Sequence, residues 1–399
     1  MNRMIPRTLA RKLRQAAAHF PVVTLTGPRQ SGKTTLVRAE FPDYTYISLE
    51  LPDQRAFALE DPRGFLAHLD GPAVLDEVQR APELFSYIQV LVDEKDRPGQ
   101  FILTGSHNFL LLERVSQSLA GRCAILHLLP FSLAELCHRP PVSLEKLGAA
   151  LRVKAPRQGL HEVLFAGLYP RIHDKALSPH DWLGSYYQTY LERDVRNVLH
   201  VGDLEAFSRF VRLCAGRNGQ LLNLSALASD SGITHTTARR WLSVLEASFV
   251  IALLRPYHRN FGKRLIKSPK LYFLDTGLLC FLLRIRAPGE LDLHAARGGV
   301  FESFVVSEIY KNFLHRGAPP DLYFWRDAGG HEVDIVVELG NRLLPLEVKS
   351  ARTVASDFFD GLRYWQQLPG QGSGPAALIH GGDRQFRQHG VSVYPWFAL

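Results

Sequence analysis

Eight residues, GPRQSGKT at 27–34, constrain this 399-residue chain more than any other feature. They match G-x-x-x-x-G-K-[ST] at Gly27, Gly32, Lys33 and Thr34, with the apolar run Val22 to Leu25 before them and Thr35-Leu36-Val37 after. That context predicts strand, tight loop and helix. The glycines let the loop turn so that its backbone N–H groups converge on an anion, and the helix N-terminus adds a favourable field. The stretch Gly27, Pro28, Arg29, Gln30, Ser31, Gly32, Lys33, Thr34 and Thr35 is therefore expected to hold the phosphates of a nucleotide. Lys33 would reach the β- and γ-phosphates, and the Thr34 hydroxyl would ligate magnesium.

Hydrolysis needs a second element. AVLDEVQ at 73–79 reads as a strand ending in two acids, Asp76 to hold the metal and Glu77 to orient or deprotonate the attacking water. QFILTGS at 100–106 ends in polar residues. There Ser106 or Asn108 would reach the γ-phosphate or the water, or else cap the next helix. Arg122 precedes a further strand. It is either a finger acting across a subunit boundary, which requires self-association with a ring among its forms, or half of a local ion pair. Strands at 22–26, 44–49, 73–76, 100–104 and 124–129, mostly separated by helical segments, give an α/β fold with a parallel sheet and the nucleotide over its strand ends. The pattern resembles the AAA+ ATPases, with Walker A at 27–34 and Walker B at 73–77. The resemblance implies an ATPase using ATP and Mg2+, with Lys33, Asp76, Glu77, Ser106 and Arg122 as its catalytic candidates.

The strand pattern stops near Pro130, so residues 1–131 form the first expected domain and 132–203 a helical lid or connector. In DWLGSYYQTYLERDVRNVLHV, Tyr187, Tyr190, Leu191 and Val195 recur at helical spacing. Arg193 and Asp194 are a surface ion pair or interface contacts. Residues 204–285 read as a winged-helix module. Ser225 and Thr234 are placed to cap two helices across the Asp230-Ser-Gly232 turn. In the second helix Ala238, Trp241, Leu242 and Leu245 form the apolar stripe, which leaves Thr236, Arg239 and Arg240 outward. VIALLRPY and KLYFLDT follow as wing strands. Between 225 and 270 there are eight Lys or Arg (239, 240, 255, 259, 263, 264, 267, 270) and two acids (230, 246), a local net of +6 against +8 for the whole chain. Thr236, Arg239, Arg240, Lys263 and Arg264 are the expected contacts to duplex or branched DNA, through phosphates. The rival is a protein–protein adaptor.

Residues 286–399 hold the remaining chemistry. EVDIVVE at 332–338 and LLPLEVKS at 343–350 read as strands joined by the Gly340-Asn341 turn, which brings Asp334, Glu347 and Lys349 together. Two carboxylates suit magnesium, and a lysine beside them would orient a water or steady charge on a phosphate. Glu302, on the preceding helix, is a further candidate ligand. The pattern resembles the D…E-x-K core of the PD-(D/E)XK phosphodiesterase fold, with Val333 where that fold commonly has proline. The alternative is a buried ion pair with a structural role. Across roughly 16–398 the motif order GPRQSGKTTL, LDEVQ, LTGSHNFLL, SLAGR, YYQTYLERDV, FESFVVSEI, EVDIVV and LEVKS resembles a prokaryotic family with an AAA+-type ATP-binding domain and a C-terminal domain of unassigned function, DUF4143. It implies an ATPase with a nuclease-like, restriction-endonuclease-like C-terminal α/β domain. Its work would be on DNA, or as a nucleotide-controlled regulatory or defence switch. Four well-separated cysteines and the lack of a long apolar run fit a soluble cytoplasmic protein with no membrane partner.

Overall fold

The computed structural model describes residues 4–95, 97–106, 115, 117–191, 203–257, 268–368 and 374–399. Asn108, Arg193, Asp194, Val195, Lys263 and Arg264 lie outside the described residues, as do the side chains of Tyr190 and Leu191. The chain forms two compact units.

The first unit comprises 1–131 together with 247–249 and 313–319. Its sheet contains β1 (Val22–Thr26), β2 (Thr45–Ser48), β3 (Ala73–Asp76), β4 (Phe101–Gly105) and β5 (Cys123–His127), in the order β2-β3-β4-β1-β5. Every pairing is parallel. Both faces are covered. Leu75, Leu103, Phe85 and Ile88 pack in one cluster, and Val23, Leu25, Leu36 and Val37 in another. Burial on both sides explains why every position of β1, VVTLT, is buried rather than every second one. All five strands expected from the sequence form within about two residues of their expected limits.

The second unit comprises 132–246, 250–312 and 320–399. Three helices, Leu204–Gly216, Leu224–Ser231 and His235–Ala247, precede β6 (Ile251–Pro256) and β7 (Lys270–Phe273). After the helix Arg297–Leu314 come β8 (Leu322–Arg326), β9 (Glu332–Leu339), β10 (Arg342–Lys349), β11 (Ala377–His380), β12 (Phe386–Gln388) and β13 (Val391–Pro395). These strands make one mixed sheet, β12-β13-β11-β10-β9-β8-β6-β7. β6 runs antiparallel to β7 but also pairs in parallel with β8, through Arg255↔Tyr323 and Pro256↔Phe324. The boundary expected at 285–286 therefore falls between strands of one sheet. A pairing between strands some 65 residues apart leaves no local signature.

The helix Leu224–Ser231 is capped by Asn223, whose Oδ1 accepts from Ala226 N at 3.0 Å, and not by Ser225. Thr234 Oγ1 accepts from Thr237 N at 3.1 Å, as a cap should.

Candidate functional sites

The loop 27–34 leaves the end of β1 and enters the helix Lys33–Glu40. Gly27 has φ +150°, and a Cβ there would stand 2.1 Å from Leu128 O, so only glycine fits. Gly32 is the helix N-cap at φ 94°. Lys33 is buried, and its Nζ donates to Gly27 O and Pro28 O, both at 2.9 Å. Burial pushes its amine down to about 8, partly offset by Glu77 and Asp76. Among the described residues, buried Ser31 Oγ has no hydrogen-bond partner. A cation satisfied only by loop carbonyls, beside an orphan hydroxyl, fits a phosphate. Thr35 is exposed on the first turn of the helix.

Asp76 ends β3 as the hub of this site. It accepts from Thr34 Oγ1 at 3.0 Å and Tyr46 OH at 2.7 Å through Oδ2, and from Thr104 Oγ1 through Oδ1. Thr34 and Asp76 are thus close enough to share one magnesium ion, which would neutralise charge on the phosphates. Glu77 is held in the left-handed region at φ 56° and accepts from Ser106 Oγ at 3.0 Å and from Gln79 Nε2. A strained non-glycine at such a point is common in functional sites. Lys33, Thr34, Asp76, Glu77 and Ser106 therefore converge. Arg122 does not. It precedes β5 at the opposite ends of the strands, about 16 Å away along β1, and it forms a bidentate pair with Asp93. A finger acting across a subunit boundary would in any case lie away from its own subunit's loop.

Sequence reasoning missed three residues. Tyr46 and Thr104 read as strand formers, yet both position Asp76. Arg7, upstream of β1, donates to Ser31 O at 2.7 Å and Leu129 O at 2.6 Å, with its guanidinium over the Phe131 ring. It ties the loop to the chain leaving β5.

In the second unit β9 and β10 pair antiparallel with Leu346 opposite Ile335, and continuing that register places Glu347 opposite Asp334. Lys349 Nζ lies 2.6 Å from Glu347 Oε1 and 3.6 Å from Asp334 Oδ2. Asp334 Oδ2 also accepts from Val348 N at 2.9 Å. Burial, then Asp334, raises both the Glu347 and the Glu302 carboxyl above the usual range. Among the described residues no group of three or more His, Cys, Asp or Glu is arranged to hold a metal. Magnesium, however, commonly takes one or two carboxylates plus water and phosphate oxygens. Asp334 and Glu347 offer that pair. Among the described residues, buried Glu347 Oε2 has no hydrogen-bond partner, and a Cβ at Gly361 would reach to 3.5 Å from it. The residues present therefore fit a divalent cation. Glu302, on the helix Arg297–Leu314, accepts from Tyr272 OH at 3.1 Å and lies close enough to Asp334 for that carboxylate to raise it.

On the helix His235–Ala247, Ala238, Trp241, Leu242 and Leu245 are buried, and Thr236, Arg239 and Arg240 are exposed. Lys270, counted with the basic run, is instead buried and paired with Glu332. Among the described residues no helix is long and apolar enough to cross a membrane.

The family described as "AAA domain" matches residues 19–137, a "Domain of unknown function (DUF8612)" matches 157–289 and a "Domain of unknown function (DUF4143)" matches 297–399. Two solved structures show weak likeness. The Walker-type ATPase PABY2304 of Pyrococcus abyssi is 17% identical at TM-score 0.41, with 70% of this chain and 96% of that one covered. The RuvB Holliday junction branch migration motor of Thermotoga maritima is 19% identical at TM-score 0.27, with 61% and 87% covered. Likenesses at this level carry no argument about what the chain binds. The uncharacterised proteins Mb2031c of Mycobacterium bovis and Rv2008c of Mycobacterium tuberculosis are each 34% identical over 350 residues, 87% of this chain and 74% of theirs. The chain belongs to the family of these mycobacterial proteins, and its AAA domain is an ATP-hydrolysing one, which implies the use of ATP and Mg2+.

Proposed function

We propose that this chain is a magnesium-dependent ATPase that couples hydrolysis to the binding or remodelling of duplex or branched DNA. Lys33 and the loop N–H groups bind the phosphates, Thr34 and Asp76 hold the metal, and Glu77, steadied by Ser106, acts on the water. The observation that carries the DNA half is the helix His235–Ala247. Its apolar stripe is buried while Thr236, Arg239 and Arg240 stand together in solvent, as on the second helix of a helix-turn-helix. The helices and the β6–β7 pair support a winged-helix reading of this region, with Lys263 and Arg264 as further phosphate contacts. The test is ATP turnover with no DNA, single strands, duplex and four-way junctions. Stimulation by one DNA form, falling steeply with salt and lost in an Arg239→Ala/Arg240→Ala variant, is expected. Equal rates in every tube would remove DNA from the account and leave a nucleotide-controlled switch.

A second reading concerns the C-terminal region. The unpartnered Glu347 oxygen beside Asp334 and Lys349 supports a metal-assisted phosphodiester site on a nuclease-like fold. The metal would supply Lewis-acid charge there. Asp334 and Glu347 would hold it, and Lys349 would orient a water or steady developing charge. Strand scission in the same tubes, lost in Glu347→Ala, tests it.

A further inference from the structure

Strand β7 borders the carboxylate residues, with Lys270 on Glu332 and Tyr272 on Glu302. Lys270 and Tyr272 are two apart, so alternation puts both on one face of the strand. Lys270 is buried, and its Nζ donates to Glu332 Oε1. Burial works against its charge, but Asp334, Glu332 and Glu302 together outweigh that and keep it protonated. Tyr272 OH donates to Glu302 Oε2 at 3.1 Å. Both residues fall in the stretch 157–289, whereas Glu302, Glu332, Asp334, Glu347 and Lys349 fall in 297–399.

The edge is fixed from behind. Asn218 Oδ1 accepts from Phe273 N at 2.9 Å and Ser303 Oγ at 2.8 Å, and its Nδ2 donates to Gly299 O at 2.7 Å. This locks β7 to the helix that carries Glu302. Gly219 keeps space in front, since a Cβ there would stand 3.2 Å from Glu302 Oε2. Placement on a strand and a helix, held by part-buried hydrogen bonds, is how working groups are kept in position. A brace is a weaker account of Lys270, because a buried ion pair contributes little net stability against apolar residues of similar size. With a cation seated on Asp334 and Glu347, two positive groups flank it: Lys349 on Glu347, and Lys270 on Glu332, two residues from Asp334 on the same face of β9. A ligand that satisfies a metal and two lysines at once is an anion with several oxygens.

We propose that Lys270 and Tyr272 complete the carboxylate site, Lys270 by gripping an oxygen of a metal-bound phosphodiester and Tyr272 by positioning Glu302. The inference rests on the metal-assisted reading of Asp334 and Glu347, and it makes the site the joint property of two matched regions.

The test uses the full chain carrying Lys33→Ala, so that the nucleotide loop does not take phosphate. Two quantities are measured: Mn2+ affinity by calorimetry, and the gain in binding of a fluorescent oligonucleotide without terminal phosphates when Ca2+ replaces EDTA. Lys270→Met is expected to lower that gain by about tenfold, the usual scale for a hydrogen bond to a charged group. Its Mn2+ affinity should be unchanged or tighter, because a competing positive charge is gone. Lys270→Arg should restore the gain to within about threefold. A brace would instead lower the melting temperature and leave the gain intact, which overturns the proposal. Should Lys270→Met not fold, Tyr272→Phe decides. It removes one oxygen, and an Mn2+ affinity equal to that of the parent overturns the positioning role and the proposal with it. Inorganic phosphate competing as strongly as the oligonucleotide overturns the phosphodiester assignment. Glu347→Ala that binds Mn2+ like the parent brings down the carboxylate reading itself, an outcome distinct from failure at Lys270 alone.

Discussion

As proposed above, the nucleotide loop and the carboxylate site would solve the same problem, holding a metal beside phosphate, in opposite ways. The first is built from one contiguous stretch plus the ends of adjoining parallel strands, and its acids are already engaged. Asp76 has three donors and Glu77 two. The second would be assembled from β7, β9, β10 and a helix, and among the described residues its buried Glu347 Oε2 has no hydrogen-bond partner. A site whose acids are satisfied by hydroxyls is stable before its ligand arrives. A site whose acids crowd one another is held at a cost to stability that a cation would relieve.

That contrast can be broken, and the largest effect should come at the loop. Lys33→Ala should abolish ATP binding or turnover while leaving any Mn2+-induced rise in melting temperature intact, and Glu347→Ala should do the converse. If either substitution silences both, the two sites are not separate. Next in size is a pH effect on the first unit. Burial pushes His127 down to about 4, its Nδ1 has no partner and its ring lies against Phe249. The unfolded chain takes up this proton near the ordinary value of 6.5 and the folded chain only near 4, so stability falls as pH drops across that window and is constant below it. The loss is on the order of 3 kcal/mol, read by melting across pH, and His127→Phe should flatten it. A curve unchanged by the substitution contradicts the assignment.

Glu347→Gln sharpens the comparison from the other side. Removing a carboxylate crowded by burial and by Asp334 should raise the metal-free stability at neutral pH by about 1 kcal/mol or more, read as a higher melting temperature, and abolish the response to Mn2+. A loss of about 3–5 kcal/mol instead would mark the Glu347–Lys349 pair as architecture. The smallest effect is expected at Arg7. Arg7→Ala loosens the loop without touching its lysine and should raise KM for ATP about threefold to tenfold with kcat little changed. A fall in kcat alone would argue against a role in holding the loop.

The same contrast explains what could be read from the sequence. Gly27 to Thr34 declare their chemistry because spacing along the chain is itself the geometry. Asp76 and Glu77 were legible as a strand end, and Asp334, Glu347 and Lys349 as a hairpin with known alternation. Thr104 and Tyr46 were not, because inside a strand they look like ordinary β-formers, and only the sheet order puts them beside Asp76. Lys270 was counted with a basic run, although its alternation with Tyr272 in KLYF was the available signal. Its partner Glu332 is 62 residues away, joined to it through the β6–β8 pairing that no local pattern announces. Asn223 capped a helix assigned to Ser225 because two good capping residues lay two apart, and the chain's path chose between them.

The central claim is that Glu77 acts on the attacking water in an ATP-hydrolysing site. The direct measurement is Glu77→Gln, with nucleotide affinity from a fluorescent ATP analogue and turnover from phosphate release. The amide keeps the shape and the contact with Ser106 but lacks the basicity. Affinity within about threefold of the parent, with turnover reduced at least about a hundredfold, is the predicted result. Turnover at the parent rate would contradict it.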